Sequence, residues 1–457
     1  MDSSSAVTHS VSCSSAESAS RSSAESASRF SAESASRSAL TRRSVLGLAA
    51  AGLAATLLAA PAPAQAQAQI QAQIQAGPSG SEAKLPAPTG PHRIGTVSTR
   101  LVDTSRRDPW VKSVPYRELM ISIWYPAATE SGGPSDAAGQ RLAPYMTPGA
   151  AERWNATSPH GIPKDVIDFA AMRTHAREGA PADTSGGRRP VLLYASGAND
   201  PRTWGTSAVE ELASHGYVVV TIDHTYEAPG VQFPDGSVKD DTPLRKALEE
   251  AQQNDALPAL LGKVLDVRVA DSKFVLDRLG SLPHGLSRVV DQKRVGMFGQ
   301  SAGGMAAAET MYEDRRVKAG MNMDGTLENN PEPNGTHLTP VARHGLTRPF
   351  LLMGSQGNDR TTEPSWRAFW SHTTGWKRNL TLRGSMHQTY TDLAALLPQA
   401  GVDRKVIEEN IGTVDPSRAV AAERAYARSF FDRWLRGQDD RLLDGPSGKY
   451  PEVEFAG

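Results

Sequence analysis

A chain of 457 residues that carries 49 Lys and Arg against 50 Asp and Glu is close to neutral, and it has no basic stripe of the kind that nucleic acids require. Its single cysteine, Cys13, lies near the N-terminus, which excludes disulfide and thiolate chemistry from the rest of the chain. The part after Gly90 is long enough to bury one large core.

Residues 1–40 are predicted to be a low-complexity tail. An eight-residue unit rich in Ser, Ala and Glu is repeated three times over 14–37, and such a composition cannot bury a core. A translation start nearer Thr41 is an alternative explanation of this tail.

Residues 41–68 have the features of a twin-arginine export signal. Arg42 and Arg43 precede an alanine-rich apolar run, which ends near Ala60 and is followed by A-x-A cleavage sites in 62–66. The run is too short and too rich in alanine to span a bilayer comfortably. We therefore expect an exported, periplasmic or extracellular protein with no stable membrane anchor, which uses the twin-arginine export machinery during secretion. Residues 69–90 are expected to form a flexible leader.

The remainder, 91–457, is predicted to be a single domain in which strands and helices alternate. Buried-strand patterns occupy 119–126, 189–195, 217–223, 295–298, 318–325, 349–354 and 378–382. Helical patterns occupy 203–214, 259–280, 305–311, 364–374 and 420–435. The segment 127–188 is interpreted as an excursion with a short helix or two, and 225–256 as polar and irregular. This alternation predicts a mostly parallel, doubly wound sheet with helices on both faces.

The stretch 295–304, VGMFGQSAGG, joins a predicted strand to a predicted helix through G-x-S-x-G. This is the context of a nucleophile elbow, in which a strained turn lifts Ser301 above the sheet edge in the α/β-hydrolase fold. Glycines two residues before and after Ser301 remove side chains that would clash. The motif alone is weak evidence, because a glycine-rich turn with a structural serine has the same letters.

Acyl transfer also needs a base, an acid that orients it, and an oxyanion hole. In this fold the chain order is Ser, acid, His, and His387 follows the last predicted strand. Two acids, Asp324 and Asp359, each follow a predicted strand, and spacing alone leaves the choice between them open.

The first oxyanion donor is expected to be the backbone N–H of Ala302, the residue after the nucleophile. The second is expected from the loop 196–199, which follows a predicted strand. The chain shows no His/Cys/Asp cluster with metal-ligand spacing, so neither a metal nor an organic cofactor is implied.

Several segments are similar to those of one known family. They are RELMISIWYPAA (117–128), LLYASGANDPRTW (192–204), ELASHGYVVVTIDHT (211–225), VGMFGQSAGG (295–304), NMDGTL (322–327) and GSMHQTYTDL (384–393). In these segments the chain resembles the platelet-activating-factor acetylhydrolases, of the plasma type and its bacterial relatives, which are α/β-hydrolases. The segments follow the family's order over most of 90–395.

The resemblance implies roles for particular residues. The family's acid lies after the strand that follows the nucleophile helix, which favours Asp324, and its second oxyanion donor corresponds to Ala198. The chain departs from the plasma members in having Ser196 in place of His and Ala302 in place of an aromatic residue. The membrane-docking helices of the plasma enzyme have no clear counterpart.

The expected function is that of an exported serine esterase that acts on a small-molecule or lipid ester by way of an acyl-enzyme. A short acyl group is expected, since the oxyanion loop and the elbow are built of small residues and no long apolar lid stretch is present. The alternatives are a cutinase-like polyesterase or general short-chain lipase-esterase, and a non-catalytic binding protein on a hydrolase scaffold.

The export signal can be tested through its arginine pair. Replacing both residues, Arg42→Lys with Arg43→Lys, is expected to abolish export, because the twin-arginine pathway reads that pair. N-terminal sequencing of the exported wild-type protein is expected to give a start within 65–69. Normal export of the double variant would refute the twin-arginine assignment.

Overall fold

The computed structural model describes residues 83–128, 141–330 and 333–456. The predicted tail, the predicted export signal and the leader as far as residue 82 lie outside the described residues. In the described ranges no helix combines the length and the apolar character needed to cross a bilayer.

The described residues form alternating strands and helices. The strands are β1 (Ile94–Asp103), β2 (Arg117–Pro126), β3 (Leu142–Pro144), β4 (Arg173–Glu178), β5 (Arg189–Ala195), β6 (Val218–Asp223), β7 (Gly230–Gln232), β8 (Val238–Asp240), β9 (Val290–Gln300), β10 (Val317–Met323), β11 (Phe350–Gly354), β12 (Lys377–Leu382) and β13 (Val453–Phe455). The helices are α1 (Pro148–Thr157), α2 (Thr206–Ser214), α3 (Thr242–Gln253), α4 (Leu257–Arg278), α5 (Ala302–Glu313), α6 (Pro340–His344), α7 (Pro364–His372), α8 (Leu393–Leu396), α9 (Arg404–Ile411) and α10 (Pro416–Phe431).

The described strands other than β7 and β8 form one large sheet. Its order is β13-β12-β11-β10-β9-β5-β6-β2-β1-β4-β3. The central strands from β12 to β6 are all parallel, whereas β13, β2 and β1 pair antiparallel with their inner neighbours. The predicted α/β-hydrolase fold is confirmed.

Helices cover both faces of this sheet, which is why its central strands are largely buried. Every residue of β5, β6 and β11 is buried. Side chains of α4, α5 and α7 pack on one face, and those of α2 and α10 pack on the other. A parallel sheet buried on both faces needs continuous apolar strands of this kind.

Some elements were not predicted from the sequence pattern. β12, the strand before His387, was expected to be the last strand. That expectation is wrong, because β13 follows later in the chain and pairs with β12. The three residues of β13 are too few for a recognisable pattern. α3 lies within a segment interpreted as irregular, because only Leu244 and Ala251 of that helix are buried. β1 is partly exposed along its second half, so its alternation is weak.

The excursion 127–188 adds β3, α1 and β4 in its described part. It packs on the domain through an aromatic cluster, in which the rings of Trp154 and Trp204 lie 5.0 Å apart and those of Trp154 and Phe169 4.8 Å apart. A tight turn at Pro159–Gly161 follows α1. Packing of this segment brings His160 to the loop that follows β5, where it contacts Asp200.

Candidate active site

The loops after β5, β9, β10 and β12 meet at the carboxyl edge of the sheet. Parallel strands place their carboxyl ends at one edge, where ligands of open α/β sheets gather. The predicted residues Ala198, Ser301, Asp324 and His387 all lie in these loops or at their ends.

Ser301 stands between β9 and α5 with φ 54° and ψ −123°. A residue other than glycine rarely adopts such a backbone conformation, and functional sites are where it is found. The Ser301 N–H donates to the carbonyl of Met323 at 2.8 Å, and the Ser301 carbonyl accepts from the N–H of Gly304 at 2.9 Å. The turn at Ser301 is therefore held both by the neighbouring strand and by the first turn of α5.

The glycines of the elbow are required by close backbone contacts. A Cβ atom on Gly303 would lie 1.9 Å from the carbonyl oxygen of Ala195, and one on Gly299 would lie 2.4 Å from the same oxygen. A Cβ atom on Gly325 would lie 2.1 Å from the carbonyl oxygen of Ser301. Any side chain at these positions would push apart the strands that support Ser301.

His387 and Asp324 form a direct hydrogen bond. The Nδ1–H of His387 donates to Oδ2 of Asp324 over 2.6 Å. The other carboxylate oxygen of Asp324 accepts from the backbone N–H of Ser355 at 2.7 Å and from the side-chain amide of Asn358 at 2.8 Å. With Nδ1 protonated, a neutral imidazole has Nε2 free as a proton acceptor.

The carboxylate of Asp359, the other candidate acid, accepts hydrogen bonds within its own turn. Its Oδ1 accepts from the backbone N–H of Thr361 at 2.6 Å and from that of Thr362 at 3.2 Å. Within the described part of the chain, no hydrogen bond joins Asp359 to His387. The structure thus brings Asp324, and not Asp359, to the imidazole.

The charges around His387 shift two pKa values. Partial desolvation of the imidazole, whose side chain is 46% exposed, favours its neutral form, but the hydrogen bond from His387 to Asp324, together with the charges of Asp324 and Asp200, raises the pKa of His387 above its ordinary value. Burial also tends to raise the pKa of Asp324, yet the hydrogen bonds and charge of His387, with Ser355 and Asn358, hold it below its ordinary value. The pair therefore favours an ionised acid beside a basic imidazole.

Gln300, which precedes Ser301, also contacts His387. The side-chain nitrogen of Gln300 lies 3.1 Å from Nε2 of His387 and donates to the His387 carbonyl at 3.2 Å. Among the described residues, no hydrogen bond joins Ser301 Oγ to His387. The sequence analysis did not single out Gln300, because the middle positions of G-x-S-x-G carry no constraint that letters alone show.

The expected oxyanion donors lie on two facing loops. Ala302 is the first residue of α5, so its N–H has no acceptor within the helix. Ala198 is exposed in the turn that follows Gly197. A Cβ atom on Gly197 would lie 3.5 Å from Cβ of Ser301, so this loop lies next to Ser301.

A second histidine lies beside the site and was missed in the sequence. Nε2 of His160 is 2.8 Å from Oδ1 of Asp200, and Nδ1 of His160 is 3.1 Å from the side-chain nitrogen of Gln388. Gln388 directly follows His387, and Met386 on its other side is exposed. No signal in the sequence links residue 160 to residue 388, which only the folded excursion brings together.

The residues that the structure describes include no obvious metal-binding site. No group of three or more His, Cys, Asp and Glu side chains there is arranged to hold a metal ion.

Comparison with known proteins identifies several relatives, although no protein-family model matches the chain. A protein of Arthroderma benhamiae described as a probable 1-alkyl-2-acetylglycerophosphocholine esterase is 29% identical over 389 residues, which span 81% of this chain and 93% of that protein. The platelet-activating factor acetylhydrolase of Canis lupus familiaris is 20% identical over 306 residues, which span 61% of this chain and 67% of that protein.

A solved structure is similar as well. The ferulic acid esterase from Streptomyces cinnamoneus is 35% identical and superimposes with a TM-score of 0.65, covering 82% of this chain and all of that chain. Together with the fold, these similarities define the class: the chain is a carboxylic ester hydrolase of the α/β-hydrolase fold. Within that class, the relatives include a probable 1-alkyl-2-acetylglycerophosphocholine esterase and platelet-activating factor acetylhydrolases, which confirms the resemblance that the sequence motifs predict.

The pKa of His387 gives a direct prediction. In a proton NMR titration, the ring resonances of His387 are expected to move with a midpoint above the ordinary 6.5, because the hydrogen bond and charge of Asp324 outweigh burial. Asp324→Asn is expected to lower that midpoint by removing the charge. A His387→Gln variant, which lacks these resonances, provides their assignment. A wild-type midpoint below 6.5, or no change in Asp324→Asn, would contradict the electrostatic account.

Proposed function

We propose that this chain is an exported serine esterase in which Ser301 is the nucleophile, His387 the base and Asp324 the acid that orients His387. The observation that carries the proposal is the 2.6 Å hydrogen bond between His387 and Asp324, formed at the sheet edge where Ser301 adopts the strained elbow conformation. A backbone N–H from Ala302 and another from Ala198 complete the machinery as oxyanion donors.

The reaction follows from these roles. Ser301 Oγ attacks the ester carbonyl carbon while its proton passes to Nε2 of His387. The carbonyl oxygen becomes an oxyanion, which the N–H groups of Ala302 and Ala198 stabilise. The tetrahedral species expels the alcohol, which takes the proton from His387, and leaves an acyl group on Ser301. Water then repeats the sequence with His387 as base, and the carboxylic acid leaves.

Gln300 has a place in this cycle. Its amide nitrogen faces Nε2 of His387, the atom that takes the proton of Ser301. Hydrogen bonds of catalytic residues often form fully only when substrate is bound. In the proposed cycle Gln300 keeps its hydrogen bond to the His387 carbonyl. Its contact with Nε2 of His387 is replaced by a hydrogen bond from Ser301 Oγ when the substrate enters.

Short acyl groups, acetyl first, are the proposed substrates. The Arthroderma relative is described as acting on an acetylated glycerophosphocholine, and the two proposed oxyanion donors beside Ser301, Ala198 and Ala302, have small side chains. Such a surface accommodates a small acyl group without a long apolar channel.

A second candidate substrate is an ester of ferulic acid. It is favoured by the ferulic acid esterase structure, which is 35% identical and is covered over its whole length. The exposed side chain of Met386, beside His387, offers an apolar surface on which an aromatic acyl group can rest.

Export remains part of the proposal. It is supported by the twin arginines at 42–43 and the A-x-A sites in 62–66, and it implies a periplasmic or extracellular protein that meets its ester substrate outside the cytoplasm. The proposed partners are a small-molecule or lipid ester and, transiently, the twin-arginine machinery.

The proposal predicts how activity depends on the acyl group and on Ser301. Specificity constants for acetyl, butyryl, feruloyl and palmitoyl esters of one alcohol are expected to be highest for acetyl. Ser301→Ala is expected to lower turnover on every ester by about 10⁴-fold or more, because only binding and the oxyanion hole remain. Circular dichroism of the variant provides the folding control.

Each alternative predicts a different result in this comparison of four esters. A maximum at the feruloyl ester would favour the second candidate, and a steady rise toward palmitoyl would contradict the short-acyl proposal. Near-normal activity of a folded Ser301→Ala variant would overturn the assignment of the nucleophile.

The choice of acid is tested by a matched pair of variants. Asp324→Asn is expected to reduce turnover by about 10⁴-fold, because the amide cannot stabilise the imidazolium or hold the correct tautomer. Asp359→Asn is expected to retain most of the activity, because the Asp359 carboxylate accepts hydrogen bonds from Thr361 and Thr362 of its own turn. Both variants are compared on one acetyl ester after their melting temperatures are measured. Loss of activity in Asp359→Asn alone would reverse the assignment.

A further inference from the structure

Arg268 is a buried arginine that connects α4 to the loop after β5. Its side chain is 2% exposed. Nη1 donates to the carbonyl of Ser196 at 2.7 Å, and Nη2 donates to the carbonyl of Gly197 at 3.1 Å. Nε donates to Oε2 of Glu227, also buried, at 2.7 Å. All three nitrogens of the guanidinium are therefore engaged, two of them by consecutive carbonyls of the oxyanion loop.

Stability alone does not explain a charged pair in this position. Removing two charges from water is costly, and well-packed apolar residues often stabilise a fold as much as a buried ion pair does. The planar guanidinium, however, presents donors in a rigid fork that a lysine lacks. Arg268 uses that fork to fix two successive peptide groups of one short loop.

The direction of the Ala198 N–H follows from the geometry of the peptide. In a trans peptide the C=O of one residue and the N–H of the next lie in one plane and point in opposite directions. Holding the Gly197 carbonyl against Arg268 therefore turns the Ala198 N–H away from α4. Because Arg268 is buried whereas Ala198 is exposed, that direction leads out of the core toward the open edge beside Ser301.

We propose that Arg268 is a positioning residue of the oxyanion hole, which fixes and polarises the Gly197–Ala198 peptide before substrate binds. The inference rests on the proposed function, in which Ala198 is an oxyanion donor. Preorganised donors that need no rearrangement during the reaction are a main source of transition-state stabilisation. The positive charge behind the carbonyl adds to this, because it strengthens the amide dipole that faces the oxyanion.

The loop has other internal bonds, so variants of Arg268 are expected to fold. The hydroxyl of Ser196 donates to the carbonyl of Asp200 at 2.8 Å, and the N–H of Asp200 approaches the Gly197 carbonyl at 3.4 Å. These bonds preserve the turn but leave the orientation of the Gly197–Ala198 peptide less restrained.

The experiment uses two variants of Arg268. Arg268→Lys keeps a positive charge for Glu227 but cannot reach both carbonyls as a fork. The double variant Arg268→Gln with Glu227→Gln removes both charges together, so that neither is left buried without a partner. For one acetyl ester, kcat is expected to fall at least about 10-fold with KM little changed, since complete loss of an oxyanion donor costs about 10²- to 10³-fold.

A second measurement reports on the oxyanion hole itself. A trifluoromethyl ketone forms an oxyanion adduct on the nucleophile, so its affinity is expected to fall by the same factor as kcat/KM. A purely structural role of Arg268 would lower the melting temperature without this correlation. Titration with a fluorophosphonate counts the active sites, so that kcat refers only to folded enzyme.

Arg424 provides a matched control on the other face of the sheet. It is also buried and also donates to two consecutive carbonyls, those of Pro86 at 2.7 Å and Ala87 at 2.9 Å. Arg424→Lys is expected to lower the melting temperature while leaving kcat and ketone affinity unchanged. A similar loss of ketone affinity in this control would contradict a specific role for Arg268.

The outcomes separate this inference from the proposed function. Retention of kcat and ketone affinity within about 2-fold in both folded Arg268 variants would overturn the inference, because loss of an oxyanion donor has a far larger effect. If Arg268→Lys does not fold, the double variant decides by the same criterion. An active Ser301→Ala variant would overturn the proposed function itself, whatever the Arg268 variants do.

Discussion

The strained backbone of Ser301 is the constraint on which the site depends. A positive φ at a residue other than glycine costs about 1–3 kcal/mol and persists only where the surroundings determine it completely. Here Ala195 of β5 pairs with Gly299 of β9, and Met323 of β10 pairs with Gln300, so the strands on both sides hold the end of β9. The register of the central sheet thus fixes the conformation of one serine.

The same strand ends determine the charge around the imidazole. His387 is hydrogen-bonded to the buried Asp324, and the charge of Asp200 in the neighbouring loop also acts on it. Both acids raise the pKa of His387. Gln300, which lies against Nε2, is neutral. An acid at that position would add a further negative charge, which would raise the pKa of His387 still more and leave less of the free base near neutral pH. A neutral amide there avoids this effect.

The sequence was most informative about features that depend on residues close together in the chain. The continuous apolar run 189–195 predicted β5 with its observed ends, and the spacing of Gly299, Ser301 and Gly303 predicted the elbow, because close backbone approach demands glycine. The choice between Asp324 and Asp359 could not be made locally. Both follow strands; the family resemblance favoured Asp324, and the fold shows that its carboxylate reaches His387.

Contacts between distant segments were beyond the sequence analysis. Arg268 lies on a helix whose charged residues are expected to face water, yet the packing of α4 against the sheet buries it beneath Gly197. His160 meets Asp200 only because the aromatic cluster around Trp154 docks the excursion on the domain. Neither contact has a periodic or motif signal, since each depends on how separate elements pack.

The two edge strands of the large sheet affect how readily the protein can aggregate. Among the described strands, the outermost are β3 and β13, and each has only three residues. A long exposed edge offers a row of unpaired N–H and C=O groups to other extended chains and promotes aggregation. β3 is short and ends at Pro144, which has no N–H to donate. The sheet can therefore be wide without giving neighbouring molecules a template for edge-to-edge polymerisation.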